Sequence, residues 1–147
     1  SWEERWDYHR GWVKSKQKKK YLKKIIKELK KRKIRVSLFI EPKIADIDLS
    51  KTLGADCVEI HTGKYCNSIN DKEKIDTEFI KLKKAASYAD KISLEVHAGH
   101  GLTYKSANKI SKIKYISELN IGHFIIAESI FFGLKKTIRN FKNIIYK

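Results

Sequence analysis

The stretch ISLEVHAGHGLTY, residues 92–104, decides how this chain is read. Its first part alternates: Ile92, Leu94 and Val96 fall on one side of an extended segment, Ser93, Glu95 and His97 on the other. It then ends in His100 between two glycines, followed by a helix start. The same alternation recurs three times. Val36, Leu38 and Ile40 oppose Ser37 and Phe39; Val58 and Ile60 oppose Glu59 and His61; Leu119 and Ile121 oppose Glu118 and Asn120. One face of every strand is apolar and the other is polar.

Between these runs the spacing predicts helices. The first covers 17–33, and a short one covers 43–54, closed by Gly54. The longest covers 73–91, with Phe79, Leu82, Ala86 and Ala89 on one face, and another short one covers 102–113. A final helix carries Phe131, Leu134, Ile138, Phe141 and Ile145 as its stripe. Residues 64–72, KYCNSINDK, read as a loop. Strands separated by helices imply a parallel sheet. An open doubly wound sheet is covered on both faces, so its strands read as nearly continuous apolar runs. Here a barrel fits better, with apolar residues under outer helices and polar residues lining the lumen. Such a barrel needs eight strands and this chain offers four. The expectation is the C-terminal half of a (β/α)8 TIM barrel, with residues 1–147 forming one partial-barrel domain. A serine at position 1 and the absence of methionine agree with that expectation of a fragment.

Composition narrows the function classes. The hydrophobic share of 41% suffices for a core, and no apolar run has membrane-spanning length. No signal-peptide layout opens the chain, so a cytoplasmic protein is expected. The net charge of +16 raises the question of nucleic acid. Its densest cluster, residues 14–33, interleaves lysines with Tyr21, Leu22, Ile25, Ile26 and Leu29 at helical spacing. That reads as the solvated face of an amphipathic helix rather than a nucleic-acid patch. Cys57 and Cys66 form no C-x-x-C pair, which favours simple thiols over a metal site or a disulfide.

Three strand ends carry candidate chemistry, because catalytic groups of such barrels sit where strands pass into βα loops. In VEIHTG, Glu59 and His61 lie on the lumen side. Glu59 reads either as a structural ion pair or as a functional carboxylate, since a strand glutamate is costly unless paired or working. In HAGHGLTY, His100 is better placed than His97 for proton transfer because it sits in the loop. The glycines beside it permit close backbone approach to a ligand. In LNIGHFII, Gly122 and His123 stand where the last strand meets the last helix, a setting suited to phosphate. No P-loop, zinc spacing or nucleophilic serine or cysteine motif is present.

In order and spacing, VSLFIEP, VEIHTGKY, AGHGLTY and ELNIGHFII closely resemble the pyridoxine 5′-phosphate synthase family. The likeness runs from about Lys33 to the end. It implies a (β/α)8 barrel with extra helices, assembled as an octamer. It also implies condensation of 3-amino-2-oxopropyl phosphate with 1-deoxy-D-xylulose 5-phosphate, with no metal or organic cofactor. By the same resemblance His100 is the proton donor and Glu59 stabilises charge during the reaction. Gly101 binds substrate through its backbone, and Gly122 and His123 hold a substrate phosphate. The family's remaining bases and substrate-binding arginines lie on earlier strands, so this chain alone is expected to be inactive and prone to self-association. The family usually has asparagine where His97 stands, and Gly-Arg where Ala127 and Glu128 stand. Its glycine-rich loop is replaced by residues 1–16. Competing readings are another phosphate-binding barrel, a degenerate one, or a basic nucleic-acid-binding remnant. The absence of any lumen-facing strand lysine argues against a Schiff-base aldolase.

Overall fold

The computed structural model describes residues 16–146. The expected replacement of the glycine-rich loop falls on residues outside that range, except for Lys16. In chain order the elements are α1 (Lys16–Lys31), β1 (Ser37–Ile40), α2 (Ile44–Leu53), β2 (Cys57–His61) and α3 (Gly63–Asn67). They continue with α4 (Lys72–Lys91), β3 (Glu95–Gly99), α5 (Tyr104–Ile110), β4 (Ile116–Asn120), α6 (His123–Phe132) and α7 (Leu134–Ile145).

The four strands form one sheet in the order β1-β2-β3-β4, and each neighbouring pair is parallel. Sequential order without a reversal is the arrangement of a barrel wall, not of a doubly wound sheet. The architecture is thus a partial (β/α) barrel, as the strand faces imply.

Register shows why the sequence alternates. Leu38, Val58, Val96 and Ile116 belong to the face that meets the helices, as do Ile40, Ile60, Ala98 and Leu119. Val58, Ile60, Val96 and Ala98 pack with Ile47, Leu82, Ala85, Ala86, Ala89 and Ile110 in the main core. The opposite face stacks in layers. Phe39, Glu59, His97 and Glu118 are neighbours across the sheet, and His61, Gly99 and Asn120 form the next layer toward the strand ends. A bulge between Val96 and His97 shifts β4 by one residue and brings Glu118 beside His97.

α1 uses Leu22, Ile26 and Leu29 to cover Val36 and Leu53. Its other apolar positions, Tyr21 and Ile25, are exposed, so its buried stripe is narrower than the sequence suggests. α2 ends as expected at Gly54, whose φ of 92° lies in the left-handed region. A Cβ there would meet Ile26 Cγ2 only at 3.7 Å, an ordinary contact. The penalty for Gly54→Ala is therefore conformational, and about 1–2 kcal/mol of stability should be lost. Urea denaturation should show a lower midpoint with an unchanged slope.

Three boundaries differ from the sequence reading. The segment expected as a loop after β2 begins with a single helical turn, α3, which buries Gly63 and Tyr65. β3 starts at Glu95 rather than Ile92, because α4 runs on to Lys91 and Ser93 turns the chain at φ 58°. The final helix is two helices, broken at Gly133, where φ 78° and ψ 144° leave the helical region. The expected five-residue stripe is split accordingly. Phe131 and Leu134 are exposed, whereas Phe141 is buried against Tyr104 and Phe124. Among the described residues no helix is long and apolar enough to cross a membrane.

Candidate active site

His100, Gly101, Gly122 and His123 lie where β3 and β4 pass into their following loops, and Glu59 lies one layer below them in the middle of β2. Glu59 projects from β2 into the lumen, and its Oε2 accepts a hydrogen bond from Asn120 Nδ2 of β4 at 2.7 Å. Among the described residues Glu59 makes no ion pair. Its partner is a neutral amide, which orients the carboxylate without neutralising it. This carboxylate lies directly over Gly99: a Cβ there would sit 2.1 Å from Glu59 Oε1 and 3.0 Å from the Asn120 carbonyl oxygen. The first glycine of HAGHG thus makes room for Glu59, where the sequence suggested room for a ligand.

His100 follows β3 and is exposed. Its backbone φ of 79° is left-handed, and Gly101 follows at 78°. A non-glycine residue in this region costs of order 1–3 kcal/mol and persists only where its surroundings enforce it. Thr62 supplies that enforcement. Its buried hydroxyl lies 2.8 Å from the Gly99 carbonyl and 2.7 Å from the His100 carbonyl, and its backbone N–H donates to Gly99 at 2.8 Å. Cys66 Sγ lies 3.8 Å from the His100 carbonyl oxygen. Burial raises the Cys66 thiol above its ordinary range, so it is a packing group rather than a ready thiolate.

The His100 ring lies against that of His61, with centroids 4.7 Å apart. His61, at the end of β2, places Nδ1 3.0 Å from Glu41 Oε1. Lys64, in α3, donates to Glu41 Oε2 at 2.9 Å. Burial opposes ionisation of Glu41. The Lys64 hydrogen bond and charge, together with His61, nonetheless hold it below the usual glutamate range. Burial is the chief cause that depresses His61 below the usual imidazole range; Glu41 pulls it upward, while His100 and Lys64 push it down. Neither Glu41 nor Lys64 stands out as a site residue in the sequence. Their signals are place alone: Glu41 directly follows β1 and Lys64 stands at the start of α3, within the motifs VSLFIEP and VEIHTGKY.

One layer deeper, His97 is buried, with Nε2 2.8 Å from Glu95 Oε1 and Nδ1 3.7 Å from Glu118 Oε1. Arg35 pairs with the other Glu95 oxygen. Arg35 first, and His97 after it, draw the Glu95 carboxyl down to about 2. His97 therefore belongs to an ion network of the lumen floor, separate from the His61–His100 pair.

Gly122 is the N-cap of α6 and His123 its first residue; both are exposed, and Gly122 has no side chain with which to cap the helix. A Cβ on Gly122 would meet nothing within 4 Å, so the loop is open on that side. What relates it to His100 is topology, since the two loops leave the same ends of adjacent strands. Ala127 and Glu128 lie further along α6, exposed and half-buried respectively.

A parallel αβ wall whose polar lumen residues gather at the strand ends defines a (β/α)-barrel protein with its site in the βα loops. Comparison with known proteins gives the family. The profile described as "Pyridoxal phosphate biosynthesis protein PdxJ" matches residues 4–147, and the chain belongs to that family. Curated proteins similar to it include a pyridoxine 5′-phosphate synthase of Pelagibacter ubique, 52% identical over 88% of this chain and 54% of the relative. Another, from Sulfurihydrogenibium sp., is 50% identical over 85% of the chain and 51% of the relative. One from Ehrlichia canis is 47% identical over 85% and 50%. The chain spans about half the length of the curated relatives it matches.

Proposed function

We propose that this chain supplies the C-terminal half of the catalytic barrel of a pyridoxine 5′-phosphate synthase. That enzyme would condense 3-amino-2-oxopropyl phosphate with 1-deoxy-D-xylulose 5-phosphate to give pyridoxine 5′-phosphate, inorganic phosphate and water. The observation that carries the reading is His100, held by Thr62 in a left-handed backbone conformation at a strand end, beside His61 and above the hydrogen-bonded pair Glu59–Asn120.

The roles follow from chemistry. Imine formation, enolisation, loss of water and ring closure each move a proton. An exposed imidazole placed at a strand end can reach substrate and pass it a proton, which is the role of His100. Positive charge develops on the condensed nitrogen, and the un-neutralised carboxylate of Glu59 is placed to stabilise it. Gly101 is exposed and would offer its backbone to substrate; the space its missing side chain leaves faces Cys66, whose Cβ lies 3.2 Å from where a Cβ would sit. Gly122 and His123 at the start of α6 would hold a substrate phosphate through backbone N–H groups and imidazole, fixing the reacting carbons. The partners are thus two small phosphorylated molecules, and the reading includes a cytoplasmic, homo-oligomeric enzyme, octameric by family resemblance.

Assay of the chain alone, and of the chain co-produced with the part of the Pelagibacter ubique relative that it does not cover, tests this. No turnover is expected from the chain alone, and pyridoxine 5′-phosphate formation is expected from the reassembled barrel. A folded, reassembled barrel that forms no product would refute the assignment. Product from the chain alone would refute the division of the site between two halves.

A further inference from the structure

The geometry points to Glu41 and Lys64 as a positioning pair that keeps half-buried His61 oriented and neutral, protonated on Nδ1, beside the ring of the proton donor His100. This inference rests on the reading of His100 just given, and it concerns residues that reading does not use.

The argument begins at Glu41. One carboxylate oxygen faces His61 Nδ1 at 3.0 Å and the other faces Lys64 Nζ at 2.9 Å. An ionised carboxylate only accepts hydrogen bonds, so the proton between Glu41 and His61 sits on Nδ1. In the neutral ring Nε2 is then the acceptor nitrogen. It is directed toward Gly63, where a Cβ would lie 2.8 Å from it and 3.0 Å from His100 Cδ2. Gly63 thus leaves the space in which the two rings meet. Phe39 packs edge-on against His61 at 5.2 Å and lies 6.4 Å from His100, so the three rings meet and His61 is restricted in rotation.

A carboxylate alone beside His61 would favour the imidazolium. Burial is the chief opposing cause, and Lys64 adds to it by sharing the same carboxylate. Among the described residues, the charged and titratable groups facing His61 include Glu41 from the end of β1, Lys64 from α3 and His100 from the loop after β3. A second positive ring 4.7 Å from His100 would oppose the protonated state that a donor must reach. Keeping His61 neutral removes that opposition while preserving its orientation.

Two variants move the system in opposite directions, which a packing role alone does not do. Lys64 is half exposed, so Lys64→Met is tolerated by the fold. It should raise the pH midpoint of His61 by roughly half a unit or more, because Glu41 is then no longer shared. Glu41→Gln keeps an acceptor for Nδ1–H but removes the charge, and should lower that midpoint. Both are read in the full chain by nitrogen-15 NMR of the histidine rings, without substrate. The wild-type spectrum should show Nδ1 protonated at neutral pH. In the reassembled barrel, the acid limb of the pH–rate profile should move up for Lys64→Met and down for Glu41→Gln.

Protonation of Nε2 in the wild type, or midpoints that shift in the same direction or not at all, would overturn the inference. Opposed NMR shifts with an unmoved acid limb would overturn the link to His100. Failure of the His100 assignment is distinguishable, because it would appear as full turnover after His100 is removed, whatever His61 does.

Discussion

Replacement of His100 by alanine is expected to lower turnover of the reassembled barrel by about 10²–10⁴-fold, the usual contribution of a positioned acid or base. The fold should survive. His100 is exposed and outside the main core, and the Thr62 clamp acts on backbone carbonyls that alanine retains. Alanine also accepts the left-handed backbone about as poorly as histidine does, so the strain cancels between the two proteins. Circular dichroism and denaturation midpoint should therefore change little while product formation collapses. His100→Gln adds a second reading, since it keeps hydrogen-bonding capacity but cannot carry an exchangeable positive charge. If glutamine restores most of the rate, His100 binds substrate rather than donating a proton. If alanine retains the rate within a few-fold, the assignment fails outright.

That His100 could be chosen from sequence reflects where the information sits. Strand faces are written in a period of two, so Val58 and Ile60 against Glu59 and His61 disclose both the sheet and its lumen. Glu59, His61 and His100 follow from that alternation and from the strand ends. Their partners do not. Asn120 bonds Glu59 from a strand 61 residues away, and only the register of three strands brings them together. Glu41 and Thr62 act through distances that no local pattern records. The broken final helix was concealed for a different reason. Its apolar residues keep helical spacing across Gly133, and spacing carries no information on whether the backbone leaves the helix at one glycine. Likewise the β3 boundary was obscured because Ile92 and Leu94 continue the alternation while still in the turn that ends α4.

The same register makes Gly99 the position where one methyl group should couple fold to chemistry most strongly. Gly99→Ala places a Cβ 2.1 Å from Glu59 Oε1 and 3.0 Å from both Cβ and the carbonyl oxygen of Asn120. No real structure tolerates the first distance, so something moves. The backbone of β4 is held by its ladder with β3, whereas the Glu59 carboxylate is the free end of a side chain. Glu59 therefore yields first and gives up the 2.7 Å hydrogen bond from Asn120. The residual contact with the Asn120 carbonyl remains. Overpacking of this kind costs typically about 1–3 kcal/mol. Turnover should fall further than stability, since the displaced group is the one proposed to stabilise developing charge. A double-mutant cycle with Glu59→Ala isolates the cause. Removing the carboxylate removes its clash, so the stability cost of Gly99→Ala should be smaller in the Glu59→Ala background by at least about 0.5 kcal/mol. Denaturation of the four proteins measures this directly. Strict additivity would mean that the methyl group is opposed by β4 alone, and that the place of Glu59 above Gly99 has no energetic consequence.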